Sequence, residues 1–299
     1  MKKAMKQKVV VIVGPTCSGK TVLSIRLAKR FKGEVISADS RQVYKGLNIG
    51  TGKVTKKEMV GVSHHLLDVV SPKKIYTAHD FVIDGRKAIA DVVKREKLPI
   101  VAGGTGFYID ALVGIISLPN VPPNPTLRKK LEKKTVEQLF KLLKIKDPVR
   151  ALTIDKDNPV RLIRALEIAH ALGANPPSIS KPLYDVLWIG ITPTRETTGE
   201  KIHERLLARM RQGMVREATK LHRSGLTHKR MEALGLEYRY LSRLLRKSIS
   251  KKEFLIELEK EINLFAKRQM TYWKRNKSIN WFVPKDVRKI ETRVKKFLT

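Results

Sequence analysis

The chemistry most readable in this chain sits near its start, in Gly14-Pro15-Thr16-Cys17-Ser18-Gly19-Lys20-Thr21. The spacing is Gly-x-x-x-x-Gly-Lys-Thr. It falls between a β-branched run, Val9 to Val13, and a stretch with helical apolar spacing, Thr21 to Phe31. That strand–loop–helix context is what a phosphate loop requires. Backbone N–H groups turned into such a loop, and the positive end of the helix behind it, hold phosphate oxygens. Lys20 would neutralise the terminal phosphate and the Thr21 hydroxyl would ligate Mg²⁺. The pattern specifies a phosphate chain with Mg²⁺ and leaves open whether ATP is what it binds. Cys17 lies inside the loop, where a helix N-terminus can depress a thiol pKa; a small residue at a tolerant position is the plainer reading.

Asp39 lies 19 residues beyond Lys20, at the end of a second apolar run, Glu34 to Ala38. In a parallel sheet the C-terminal strand ends face the ligand crevice. A carboxylate there can bind Mg²⁺, serve as general base, or cap a turn with Ser40. Arg41, Gln42 and Tyr44 follow, a polar and aromatic group suited to a base edge and its phosphate. A second glycine turn, Gly103-Gly104-Thr105-Gly106, follows the run Leu98 to Ala102. It belongs on the same edge as the first loop, with Thr105 able to donate to a phosphate oxygen, so the two turns read as jaws around one diphosphate. His64, His65 and Asp68 resemble metal ligands, but their spacing is poor for zinc and no cysteine joins them. A structural pair is the better reading. Arg161 and Arg164 share a helix face, either as phosphate contacts or as a solvated surface. Lys267, Arg268, Gln269, Tyr272, Trp273, Lys274 and Arg275 mix cations with aromatics, which suits base stacking and phosphate contact or an amphipathic helix with snorkelling side chains.

These residues need elements to hold them. Strands at 9–13, 34–38, 65–70, 98–102 and 185–191 alternate with helices at 21–31 and 78–94, which predicts an α/β fold: a P-loop-type parallel sheet flanked by helices. Leu118 to Pro125 and Gly173 to Pro182 are proline-rich and read as hinges. Between them helices are expected at 126–134, 135–143, 148–152 and 159–172. The chain therefore divides into a catalytic core, 1–121 and 183–299, and a helical insertion, 122–182. Helices follow over 197–245 and 251–274, with a last short strand at 281–283.

The 299 residues suit one large or two medium domains. Hydrophobic residues at 42% and charged residues at 30% exclude wholesale disorder. One Cys excludes a disulfide framework and points to a reducing cytoplasm. No apolar run reaches the roughly 18–20 residues of a membrane span, and the apolar run near the start is too short for a signal peptide. The formal net charge is +34, which favours a polyanionic partner. It is spread over both halves of the chain, so it belongs to folded surfaces and not to a basic tail.

As a set, the motifs resemble the bacterial tRNA dimethylallyltransferases. They are the loop Val13 to Thr21, Ile36-Ser-Ala-Asp-Ser-Arg-Gln-Val-Tyr44, Gly50-Thr-Gly-Lys53, His64-His-Leu-Leu-Asp68, Pro99-Ile-Val-Ala-Gly-Gly-Thr-Gly-Phe-Tyr108, Pro159-Val-Arg-Leu-Ile-Arg-Ala-Leu-Glu167 and Arg268-Gln-Met-Thr271, in that order. The resemblance runs from about residue 9 to 282. It implies transfer of a dimethylallyl group from dimethylallyl diphosphate to the exocyclic N6 amine of adenosine 37 of tRNA, with diphosphate released. It implies that residues 14–21 hold the diphosphate, with Lys20 catalytic, Asp39 as general base and Thr105 on the leaving group. tRNA contacts then fall on Asp39, Ser40, Arg41, Gln42, Thr105, Arg128, Val160, Arg161, Leu162, Ile163 and Arg164, with the insertion gripping the anticodon stem-loop. Mg²⁺ is the implied cofactor, and a cytoplasmic monomer without membrane attachment the expected form. The chain departs from the family in Val160 (usually Gln), Leu236 (usually Tyr after Gly235) and Tyr272 (usually Trp). Three other activities share parts of this pattern: a small-molecule kinase, a non-catalytic RNA-binding P-loop protein, and an enzyme prenylating free adenine nucleotides. The first would need ATP, the second would bind RNA without turnover, and the third fits the charge and the insertion less well.

Overall fold

The structure, a computed structural model, describes residues 6–177 and 182–299. Residues 1–5 of the basic start and 178–181 of the second proline-rich stretch lie outside the described residues. Two compact units form: Met1–Val113 with Pro182–Thr299, and Gly114–Lys181. The expected boundary at 122 moves back to Gly114, which takes a left-handed φ of 85°. The segment before the first helix of the smaller unit belongs to it: Val121 is 9% exposed and its carbonyl accepts from Arg164 at 2.7 Å.

The larger unit begins with β1 (Lys8–Val13), α1 (Lys20–Arg30), β2 (Gly33–Ser37), α2 (Lys56–Met59), β3 (His64–His65), α3 (Ala78–Lys94), β4 (Leu98–Ala102) and α4 (Gly106–Leu112). The smaller unit contributes α5 (Pro125–Leu131), α6 (Val136–Lys146), α7 (Pro148–Thr153) and α8 (Pro159–Leu172). The larger unit resumes with β5 (Asp185–Ile191), α9 (Arg195–Gln212), α10 (Met214–Arg223), α11 (His228–Leu234), α12 (Leu236–Leu245), α13 (Lys251–Lys274), β6 (Asn280–Phe282) and α14 (Val287–Leu298).

The sheet order is β3-β2-β4-β1-β5-β6, and every pairing is parallel. β1 lies between β4 and β5, and Val9 to Val13 are fully buried, as expected of a strand covered on both faces. Because all strands run one way, Val13, Ser37, Ala102 and Ile191 end on one edge, where the loops that follow can share a ligand.

The structure corrects three sequence expectations here. Of the 65–70 run only His65 pairs with β2, joined by His64 before it, because Leu66 and Asp68 adopt left-handed φ values of 63° and 55° that break an extended chain. Val70 makes an isolated bridge to Tyr44. The helical stretch 197–245 is four helices, broken at Gly213, Gly225 and Gly235, all with positive φ. α14 was not anticipated; its Ile290 and Val294 are buried in the cluster that holds Val10, Ile12, Leu27 and Ile100. A second cluster packs α9–α13 around Val43, Tyr44 and Leu47.

The smaller unit starts three of its helices with the same device. Asn124-Pro125, Asp147-Pro148 and Asn158-Pro159 each place a capping side chain, accepting a backbone N–H three residues on, before a proline at the first helical position. Leu131, Leu139, Leu143, Leu162, Ile163 and Leu166 form its core.

Candidate active site

The phosphate loop forms between β1 and α1 as its spacing predicts. Gly19 caps α1 at φ 88°, Gly14 turns off β1 at φ 149°, and a Cβ on Gly14 would collide with the Ile191 carbonyl. Lys20 folds back over its own loop: Nζ donates to the carbonyls of Gly14 (3.0 Å) and Pro15 (2.5 Å) and lies 3.4 Å from Ser18 Oγ. Burial lowers its pKa to about 8, with the Asp39 carboxylate acting against the shift. Thr21, the second residue of α1, is exposed.

Asp39 stands just past β2 and caps a turn. Oδ1 accepts from the N–H groups of Arg41 (2.8 Å) and Gln42 (3.3 Å), closing a turn, while Oδ2 has no hydrogen-bond partner among the described residues. Thr105 binds this turn to the second glycine turn. Its Oγ1 accepts from Ser40 N–H at 3.1 Å and its N–H donates to the Ala38 carbonyl at 3.2 Å. Gly103 N–H donates to Ile12 O, so the same turn is tied to β1.

A cavity of about 290 Å³ opens at this strand edge, near the lower end of the size expected for a ligand site. Part of its lining is polar: Thr16, Asp39, Ser40, Gly104, Thr105 and Gln269. Leu234, Leu236, Ile262 and Phe265 make up its apolar part, and Arg41, Arg239 and Arg268 also line it. The structure thus brings Asp39, Ser40, Arg41 and Thr105 together with Thr16 of the loop. Lys20 and Thr21 do not line this cavity.

Residues outside the expected site set complete the site. Gln269 of α13 donates Nε2 to the Gly104 carbonyl (3.0 Å) and accepts Thr16 N–H at Oε1 (2.8 Å). Arg205 of α9 reaches the loop, with its guanidinium 3.8 Å from Cys17 Sγ and 3.1 Å from the Gly52 carbonyl. Glu217 of α10 accepts N–H groups from Asn48, Ile49 and Gly50 and the Tyr238 hydroxyl, fixing the loop that carries Thr51 into the cavity. Gln269 belongs to the Arg268-Gln-Met-Thr271 motif; Arg205 and Glu217 carry no local signal, since their targets are far away in sequence.

Other candidates settle into structural positions. Tyr44 is 2% exposed; its hydroxyl accepts from Tyr76 N–H and from Arg230, so it is removed from the base-edge group. Gln42 Oε1 lies 3.4 Å from the Ser37 hydroxyl. His65 pairs with Glu34 at 2.6 Å, His64 Nδ1 bonds the Val62 carbonyl, and Asp68 pairs with Lys53. Burial alone would raise the Glu34 pKa; its bonds to Arg95, Lys97 and His65 bring it down to about 2. No cluster of three or more His, Cys, Asp or Glu suited to a metal ion occurs among the described residues. Of the C-terminal cation–aromatic group, Trp273 is core, Tyr272 bonds Asp110, and Arg275 stacks on Tyr272, while Arg268 lines the cavity.

In the smaller unit, Arg128 donates two bonds of 2.7 Å to Glu167, and Arg164 bonds both Glu167 and Val121 O. Leu162 and Ile163 turn into the unit's core, so their side chains are withdrawn from any RNA-facing surface. Val160 is 76% exposed, and Arg161 makes only a surface pair with Asp155.

The IPP transferase family profile matches residues 42–276. The tRNA dimethylallyltransferase of Anoxybacillus flavithermus is 38% identical over 98% of this chain and 96% of its own length. The tRNA dimethylallyltransferase 2 of Treponema denticola is 42% identical over 92% and 96%. The crystal structure of the full-length tRNA isopentenylpyrophosphate transferase from Bacillus halodurans superposes with a TM-score of 0.75 at 33% identity, covering 98% of this chain and 97% of that one. No helix among the described residues is long and apolar enough to cross a membrane. A match over most of the chain, agreeing in sequence and in fold, leaves one conclusion: this chain belongs to the IPP transferase family.

Proposed function

We propose that the protein is a tRNA dimethylallyltransferase, which moves the dimethylallyl group of dimethylallyl diphosphate onto the N6 amine of adenosine 37 of tRNA. The observation that carries this reading is the meeting of Asp39, Thr105 and the phosphate loop at one strand-end cavity, with the second Asp39 oxygen left open. In the reaction the C1–O bond of the allylic diphosphate breaks and the N6–C1 bond forms. Diphosphate leaves with the bonding electrons and the amine proton passes to Asp39. Carbon–oxygen cleavage puts charge on the leaving diphosphate, so the stabilising groups belong there. Lys20 would exchange its loop carbonyls for phosphate oxygens, with Arg205 beside the loop as a second cation. Thr105 would donate its hydroxyl while still accepting from Ser40 N–H.

The donor set fits a Mg²⁺ ion that arrives with the diphosphate. Thr21 offers one exposed hydroxyl, and such ions are commonly completed by substrate phosphates and water and not by a protein cage. When bound, the ion would supply countercharge to the leaving group. No ATP is required by this scheme. The base must leave the anticodon-loop stack to reach a recessed site, and the helical unit, with Arg161 and Val160 on its surface, is assigned to the stem-loop. The test is incubation of the full chain with dimethylallyl diphosphate, Mg²⁺ and unmodified tRNA, followed by nucleoside mass analysis. One dimethylallyl group on the adenosine beside the anticodon supports the proposal; unmodified nucleosides after long incubation refute it.

A further inference from the structure

The C-terminal turns of α13 lie against the second glycine turn. Gln269 is 6% exposed and covers Gly104; a Cβ there would collide with its amide nitrogen. Three residues on, Tyr272 covers Gly106 in the same way, and its hydroxyl bonds Asp110 of α4 at 2.7 Å. Arg275 lies 3.6 Å over the Tyr272 ring and bonds the same Asp110 oxygen. Thr105 is therefore flanked by two glycines, each covered by a side chain from one helix. Among the described residues, Gln269 is the side chain that bonds both the phosphate loop, at Thr16 N–H, and the second turn, at Gly104 O. A neutral amide is suited to this position, because one end accepts while the other donates. A carboxylate, an ammonium or a thioether does at most one of the two.

We infer that Gln269 is a positioning residue that sets the separation between the phosphate loop and Thr105, so that both jaws meet the same diphosphate. The inference rests on the diphosphate reading of the cavity. The amide itself is engaged on both sides by protein, so it acts through the two loops and not on the substrate. Misplacement of reacting groups by about 1 Å lowers rates by up to about 10²-fold. A loss of that kind appears in turnover more than in acceptor binding.

The experiment uses Gln269→Met, which keeps length and volume, loses the bond to the Gly104 carbonyl and offers Thr16 N–H only a weak sulfur acceptor. For the full chain, kcat and KM for dimethylallyl diphosphate, tRNA affinity and melting temperature are measured beside the wild type. The expected result is a fall of about 10- to 100-fold in kcat/KM, mostly in kcat, with tRNA affinity within about two-fold. A second pair of variants separates bridging from packing. Gly104→Ala forces the amide aside, and Gly104→Ala/Gln269→Ala removes that collision. If Gln269 bridges, the double variant melts no lower than Gln269→Ala and stays as slow. If it merely packs, the double variant recovers near wild-type turnover, which overturns the inference, as does a Gln269→Met chain within about two-fold of wild-type kcat/KM. A wild-type chain that transfers nothing refutes the parent reading and this one with it.

Discussion

The strand-end site and the helical unit treat their charged side chains in opposite ways. At the strand ends, Asp39 is held by backbone N–H groups through one oxygen while the other stays open, and Lys20 is tethered to carbonyls of its own loop, contacts that an anion can replace. In the helical unit, Arg128 and Arg164 converge on Glu167, whose side chain is fully buried and also accepts Asn124 N–H. A buried carboxylate of this kind needs its cations, since removing one partner leaves a charge without solvent or compensation. The lesson is that an arginine in a recognised motif is not thereby a ligand contact. Its partner decides, and here Arg161 is the arginine of the three left mainly to solvent.

The largest expected effect sharpens the strand-end half of that comparison. Asp39→Asn keeps the oxygen that closes the turn but removes the base, so turnover should fall by about 10²–10⁴ while tRNA affinity and melting temperature stay near wild type. Retention of more than about a tenth of the rate would break the general-base role, because the turn alone would then account for the residue.

Next in size is Lys20. Lys20→Ala should lower kcat/KM for dimethylallyl diphosphate by on the order of 10²-fold, since the cation assigned to the leaving diphosphate in the proposed reaction would be lost. The wild-type pH profile carries the same information. Burial lowers the Lys20 pKa to about 8 in the free protein. The cationic form that meets the diphosphate is thus depleted as pH rises through that value, and kcat/KM should decline above it. Lys20→Ala should lack this decline. A wild-type profile that stays flat through the alkaline side would contradict the assignment.

The smallest effects test the helical half, with two arginines predicted to behave oppositely. Arg128→Ala leaves Glu167 with one arginine and should destabilise the unit by about 2–3 kcal/mol, read as a lower melting temperature. Burial alone would raise the Glu167 pKa, and the Arg128, Asn124 and Arg164 bonds outweigh it, so the folded value lies below the usual carboxylate range. Stability from this group is present above the unfolded pKa and lost as pH falls through the folded one. Arg128→Ala should therefore also weaken the acid-side loss. Arg161→Ala should leave melting unchanged, because its surface pair with Asp155 is worth about 0–1 kcal/mol. It should flatten the salt dependence of tRNA binding by roughly 0.7–0.9 log unit. Equal effects of the two variants on the salt slope would erase the distinction drawn here.

Much of the strand-end geometry could be read locally. The loop 14–21, Asp39 and the turn 103–106 each sit directly after a buried apolar run, and the parallel sheet puts those ends together whatever the loops contain. α8, β5 and α13 have the bounds expected from periodicity; Asn158 and Gly173 mark the ends of α8, and Ser250 caps the start of α13. What stayed hidden depends on partners distant in sequence. Gln269 meets Thr16 across 253 residues, and Glu217 meets Gly50 across 167. Nothing in the local pattern of Arg128 announces Glu167, and the left-handed residues Leu66 and Asp68 look like strand members until the backbone is seen. Tyr44 stayed hidden for a similar reason: its ring packs into the α9–α13 cluster and its hydroxyl is taken by Arg230 and Tyr76 N–H, partners far from the motif.

In the proposed reaction the loop 14–21 holds a departing diphosphate and does not hydrolyse a nucleotide. The most direct test is to follow tRNA prenylation by the wild-type chain with dimethylallyl diphosphate and Mg²⁺ in nucleotide-free solution, while titrating inorganic diphosphate. Full transfer without ATP is predicted, with inorganic diphosphate competing against the allylic substrate and binding weakly to Lys20→Ala. Product that forms only when ATP is added, or inhibition indifferent to Lys20, would contradict the account.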